Sequence, residues 1–182
     1  MKVSETGFNG LLILMPKVIG DNRGYFMESY NQKTLLEAGI DIKFVQDNQS
    51  SSSRGVLRGL HFQNAPHAQT KLVRVLTGTI LDVVVDLRKS ESTFGKSYAI
   101  ELSDKNKKQL LVPKGFAHGF VVLSDRAEVF YKCDEYYNAQ AEGGIFYSDP
   151  SMGIDWLLEP KDLILSGRDQ SHPFLSEAKF NF

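Results

Sequence analysis

Apolar residues along the chain fall in short runs broken by turn signals about every 8–12 positions, the rhythm of an all-β sandwich or barrel. Leu11-Leu12-Ile13-Leu14-Met15, closed by Pro16, reads as a buried strand with an edge or bulge at the proline. Asp21-Asn22-Arg23-Gly24 carries turn chemistry, and Tyr25–Tyr30 follows as a strand. Asn31–Ala38 is the one clear helix, with Asn31 as N-cap, Leu35 and Leu36 as its apolar side and Gly39 at C′. Strands are then predicted over Ile42–Asn48, Val56–Gln63, Thr70–Leu76, Thr79–Leu87, Ser97–Leu102, Gln109–Val112, Ala117–Leu123 and Ala127–Tyr131. Ser50–Ser53 reads as a serine-rich loop. Beyond Asp149, prolines at 150, 160 and 173 predict a C-terminal wrap with short helical turns. The pattern therefore predicts an all-β double-sheet jelly roll with short peripheral helices, one domain over residues 1–182.

Composition narrows the function classes. Net charge is −1, from 21 basic and 22 acidic residues, and no basic stripe marks a nucleic-acid partner. No stretch reaches the roughly 20 apolar residues of a membrane helix, and the N-terminus lacks the apolar core of a signal peptide. Cys133 is the only cysteine, so no intrachain disulfide forms; it reads as a small packed residue, and a cytoplasmic setting is expected.

One stretch departs from the strand pattern. Val56–Gln63 places Arg58 and His61 in an otherwise apolar run, where an unpaired charge is costly. Strict alternation puts Leu57, Gly59, His61 and Gln63 on one face and Arg58, Leu60 and Phe62 on the other. For Arg58 and His61 to share a site the strand must bulge, and Gly59 is where a bulge is tolerated. Spacing alone favours His61 as a hydrogen-bonded core or rim histidine. Lys71 shares a face with Val73 and Val75, either snorkelling or lining a pocket. Asp82, Val84 and Asp86 share one face; Asp82 is placed to orient a histidine on a neighbouring strand, whereas Asp86 is expected to be solvated near a turn. Small residues flank His118, and tyrosines cluster from Tyr131 to Tyr137. No Gly-x-Ser-x-Gly elbow or phosphate loop is present, and histidine spacing does not point to a metal centre.

Taken in order, seven motifs resemble the dTDP-4-dehydrorhamnose 3,5-epimerase family: Asp21–Tyr30, Phe44–Asn48, Leu57–Gln63, Lys71–Val75, Asp86–Arg88, Pro113–Phe120 and Tyr131–Tyr137. The resemblance runs from about Gly7 to about Asp169. It implies a cupin-type double-stranded β-helix (jelly roll), a homodimer, and a reaction without cofactor or metal. The implied reaction inverts C3 and C5 of dTDP-4-dehydro-6-deoxy-D-glucose to give dTDP-4-dehydro-L-rhamnose, on the way to dTDP-L-rhamnose for polysaccharide. Position by position it implies His61 as base, Tyr131 as the opposite-face acid, Asp169 as the partner of His61, and Lys71 at the C4 enolate oxygen. Arg23 and Arg58 would meet the diphosphate. Glu28, Gln46 and Asn48 would hold the nucleotide, and Phe26 and Tyr137 would stack on thymine. His118, Glu142 and Arg168 fall at further contact positions, Arg168 where a lysine is common. Arg23, Phe26 and Glu28 are expected to serve the partner subunit's site. Alternatives on the same scaffold are a 3-epimerase or a 3,4-ketoisomerase; a non-catalytic nucleotide-sugar binding module and a metal-dependent cupin are the other classes.

Overall fold

The computed structural model describes residues 1–182. Thirteen strands form: β1 (Lys2–Glu5), β2 (Leu12–Met15), β3 (Val18–Asp21), β4 (Gly24–Met27), β5 (Gln46–Ser53), β6 (Leu57–Gln63), β7 (Lys71–Thr77), β8 (Thr79–Asp86), β9 (Ser97–Ser103), β10 (Gln109–Val112), β11 (Phe116–Val122), β12 (Arg126–Cys133) and β13 (Glu142–Gly144). They make one sheet in the order β1-β2-β10-β7-β12-β5, a second in the order β13-β6-β11-β8-β9, and a separate β3-β4 hairpin. Every pairing between these strands is antiparallel. The two larger sheets face each other as a jelly roll, and no helix is long and apolar enough to cross a membrane.

Three apolar layers explain the sequence pattern. Val73, Val75 and Val129 of the first sheet pack between the sheets against Ile80, Val84 and Phe120 of the second. The outer face of the second sheet, Leu57, Leu60, Phe62, Val83 and Val85 among them, is covered by Ile145, just after β13, and by Met152 and Trp156 of the C-terminal wrap. The outer face of the first is covered at Leu72 and Leu111 by Leu35 and Ile40, on and just after helix α1 (Gln32–Glu37). Strands covered on both faces read as continuous apolar runs, which is why β8 and β11 stand out in the sequence. The helix starts as expected: the Asn31 side chain accepts from the backbone N–H of Lys33 and Thr34, and Gly39 takes a left-handed φ of +80°.

Four expectations change. Ser50–Ser53 is strand, the second half of β5, an edge strand paired along its whole length with β12. Its inward residues are Gln46, Asn48, Ser50 and Ser52, so no apolar alternation betrays it. Ile42–Val45 lies outside any strand; Ile42 and Phe44 pack on the cluster around Leu35. The strand predicted over Tyr25–Tyr30 stops at Met27, opposite Val18, the first residue of its hairpin partner β3.

The fourth is Asp86, which is fully buried rather than solvated. Its carboxylate accepts from Arg88 Nε at 2.8 Å, Arg88 Nη2 at 2.7 Å, Thr93 Oγ1 at 2.6 Å and the Arg88 backbone N–H at 3.0 Å. Burial pushes the carboxyl up, but these donors hold it below its ordinary value. Its contribution to stability is therefore complete above the unfolded carboxylate value of about 3.9 and is lost as pH falls through the depressed folded value. Asp86→Ala strands the Arg88 guanidinium and is expected to cost about 2–4 kcal/mol. Urea denaturation should show the midpoint falling at unchanged slope; a loss under about 1 kcal/mol would remove Asp86 from the structural core.

Candidate active site

The site begins at a bulge in β6. His61 lies opposite His118 of β11 and Arg58 opposite Phe120, three steps on one strand against two on the other. The extra residue resets the alternation: Leu57, Leu60 and Phe62 join the outer apolar layer, while Arg58 and His61 both reach the inner cavity. Gly59 sits at the reset with φ of +133°, and a Cβ there would stand 2.5 Å from Gly119 Cα. Gly119 is equally confined, since its own Cβ would meet the Arg58 carbonyl oxygen at 2.6 Å. The small residue beside His118 thus lets the two backbones close up.

A cavity of about 320 Å³ opens between the sheets here. Arg58, His61, Lys71, His118, Tyr131, Arg168 and Asp169 line it, seven of the residues named from the sequence. His61 Nε2 is 2.6 Å from Asp169 Oδ1. Asp169 is held in turn by Ser166, the N-cap of α2 (Gly167–Gln170): the Ser166 hydroxyl donates to Asp169 Oδ2 at 2.9 Å and accepts from the Asp169 backbone N–H at 3.1 Å. Burial alone would raise the Asp169 carboxyl, but the hydrogen bond and charge of His61, together with Ser166, hold it low. The carboxylate thus stays ionised behind an imidazole whose side chain is 31% exposed. That arrangement fixes a histidine's tautomer and ring orientation.

Lys71 and Tyr131 come from the facing sheet, where β7 and β12 are neighbours. Lys71 Nζ lies 6.0 Å from the centre of the Tyr131 ring. Burial pulls the Lys71 ammonium down, against the attraction of Cys133, Asp82 and Glu142. Burial, reinforced by Cys133, pushes the Tyr131 phenol up, so it keeps its proton at neutral pH. His118 is backed by Asp82 of the neighbouring strand β8, Nε2 to Oδ1 2.8 Å, a carboxylate orienting a histidine as expected for Asp82, with the histidine now identified as His118.

Around the mouth, Arg168 Nη2 is 2.8 Å from Glu142 Oε2, which also accepts from the Tyr137 hydroxyl at 2.7 Å. Arg58 Nε donates to Ser52 Oγ at 3.1 Å. Gln46 Nε2 donates to Asn48 Oδ1 at 3.1 Å, and Gln46 Oε1 accepts from the Tyr137 backbone N–H at 3.0 Å. Asn48 is the cross-strand partner of Tyr131, so Gln46 and Asn48 extend the inward polar face beside the cavity. Three named residues are not brought to it. Arg23 is 85% exposed and paired with Asp21, Phe26 is 69% exposed, and Glu28 accepts from Asn31 Nδ2 at 3.0 Å. Ser50 and Ser166 line the cavity without having been singled out. The signal for Ser166 was present, since Ser166-x-x-Asp169 has the spacing of an N-cap box.

The chain matches the family model described as dTDP-4-dehydrorhamnose 3,5-epimerase over residues 5–177. It is 53% identical over 169 residues to the dTDP-4-dehydrorhamnose 3,5-epimerase of Shigella flexneri, covering 90% of this chain and 93% of the relative. Among solved structures it is similar to the dTDP-4-dehydrorhamnose 3,5-epimerase of Elizabethkingia anophelis NUHP1, with TM-score 0.92, 50% identity and 97% of each chain covered. It is also similar to the dTDP-6-deoxy-D-glucose-3,5-epimerase of Legionella pneumophila, solved in complex with dTDP-4-keto-L-rhamnose, with TM-score 0.92, 46% identity, and 97% of this chain and 93% of that one covered. Motifs in order, the jelly roll, and a cavity that unites imidazole, phenol and ammonium agree with these matches, and the chain belongs to the dTDP-4-dehydrorhamnose 3,5-epimerase family.

Proposed function

We propose that this protein inverts C3 and C5 of dTDP-4-dehydro-6-deoxy-D-glucose, giving dTDP-4-dehydro-L-rhamnose by way of enolates. One observation carries the reading: a single cavity holds an imidazole backed by an ionised carboxylate, a phenol kept protonated and a sunken lysine. The protons at C3 and C5 are acidic because each carbon adjoins the C4 ketone. His61 removes them, an imidazole held by a carboxylate being the commonest general base. Asp169 orients His61 and steadies the imidazolium. Lys71 meets the negative charge that develops on the C4 oxygen, where a fixed donor in a shielded site acts most strongly. Tyr131 returns a proton from the opposite face, and its raised phenol suits a donor that does not compete as a base.

Substrate binding divides around this centre. Arg58 takes diphosphate oxygens, where a guanidinium fork bonds two at once. Arg168, Glu142 and His118 contact the sugar side, and Tyr137, Gln46 and Asn48 hold the nucleotide. One domain over residues 1–182, working in the cytoplasm with no cofactor, carries the reaction.

The exposed hairpin supports a homodimer with shared sites. Val18, Ile19, Tyr25 and Phe26 all lie open on β3 and β4. Arg23, Phe26 and Glu28 then complete the nucleotide pocket of the partner. Light scattering is expected to give twice the 20.4 kDa chain mass. Phe26→Ala should raise KM about tenfold or more with little change in kcat, by loss of stacking worth about 1–3 kcal/mol. A fully active monomer would end this part of the reading.

Turnover in heavy water tests the reaction itself. Deuterium should enter at both C3 and C5 of an L-configured product. Exchange at C3 alone would make the protein a 3-epimerase, and binding without exchange would make it a nucleotide-sugar binding module. In the same assay Tyr131→Phe should keep deuterium exchange within about tenfold while slowing formation of inverted product about 10²-fold or more. Equal losses in both readouts would take the acid role away from Tyr131.

A further inference from the structure

We propose that His61, Asp169 and His172 form a binding site for a borderline divalent transition-metal ion of the Zn²⁺ type, and that its occupancy blocks the reaction. Donor atoms of the three side chains all lie within 4.8 Å of one another. His172 Nε2 is buried without a hydrogen-bond partner and stands 3.7 Å from Asp169 Oδ1, the oxygen already facing His61. The two imidazoles meet edge to face, ring centres 5.5 Å apart. Gly144 makes room for this, because a Cβ there would stand 2.4 Å from His172 Nε2. A buried nitrogen aimed at a shared carboxylate and left unpaired calls for a partner, and a cation between the three donors supplies one.

The chemistry of the donor set selects the ion. Two imidazole nitrogens and one carboxylate oxygen are a three-ligand zinc set that leaves a fourth position open. Mg²⁺ and Ca²⁺ prefer all-oxygen shells. Ser166 already fixes the far oxygen of Asp169, as an outer hydrogen bond does around a bound metal. Arg168, the guanidinium next to Asp169 in the chain, is engaged by Glu142. On binding, the Nε2 lone pair of His61 goes to the metal, and the proton that Nε2 shared with Asp169 passes through solvent to Nδ1, so the ring stays neutral. With Nε2 on the metal and Nδ1 protonated, His61 has no pair with which to take a proton from C3 or C5; this block rests on the proposed role of His61 as the base.

The test is calorimetric titration of the metal-free dimer with zinc chloride, alongside turnover. The native protein should bind one Zn²⁺ per chain, with inhibition tracking occupancy, reversal by EDTA and no effect of magnesium chloride. His172→Asn and His172→Gln should each keep basal turnover within about threefold and lose at least tenfold in zinc affinity and in sensitivity to inhibition. Two variants are used because His172 packs against Gly144. His61→Ala should also lose the bound ion. Undiminished binding and inhibition in both His172 variants, or no saturable binding of one ion per chain, would overturn the proposal. If His61→Ala lost zinc yet retained turnover, the metal site would stand and the blocking of catalysis through His61 would fall.

Discussion

Replacing His61 with alanine is expected to lower turnover by about 10²–10⁴-fold or more, the range a positioned general base supplies. The protein should stay folded. The side chain is only partly buried, and Leu60 and Phe62, which anchor β6 in the outer layer, are untouched. Asp169 keeps its two hydrogen bonds with Ser166 but loses its imidazole partner, so the carboxyl should titrate higher than in the native protein. Binding of dTDP should change by less than about threefold, because the diphosphate and thymine contacts assigned here lie elsewhere. Steady-state turnover, circular dichroism and dTDP titration together check this result. Native turnover in His61→Ala would sink the assignment of the base, and with it the proposed order of proton transfers.

How much of this was legible in the sequence depended on where apolar residues could report it. β8 and β11 are covered on both faces, so their runs were visible at once. The place of Asp82 on an apolar strand called for a histidine on a neighbouring strand, but only the fold shows that this histidine is His118. Only the first half of β5 is legible, because its inward face is Gln46, Asn48, Ser50 and Ser52 and a serine run reads as a loop. β13, Glu-Gly-Gly, has no apolar signature; it exists because β6 offers it an edge. The site was harder still. His61, Lys71 and Tyr131 stand on three strands in two sheets, and Asp169 lies 108 residues from His61 along the chain. No spacing rule joins groups that only sheet packing brings together. The ordered motifs of the family named them, and the fold supplied the reason they meet.

Gly59→Ala is the second large effect expected, and it tests the feature that lets one strand serve the site twice. A methyl group at this position meets Gly119 Cα at 2.5 Å, and backbone with φ of +133° is rarely tolerated by an L side chain. Strain of this kind costs about 1–3 kcal/mol, and forcing an extra carbon into close-packed backbone about 1–3 kcal/mol more. A destabilisation of about 2–6 kcal/mol is therefore expected by urea denaturation. Relief requires β6 to move away from β11, which draws His61 off Asp169, so turnover should fall together with stability. Gly119→Ala separates the two causes. Its Cβ meets the Arg58 carbonyl oxygen at 2.6 Å, but Gly119 has no positive φ to maintain, so it should cost less than Gly59→Ala. If Gly59→Ala instead matched the native protein in both midpoint and turnover, alternation would not be reset by the bulge. Arg58 and His61 would then need another reason to share one cavity.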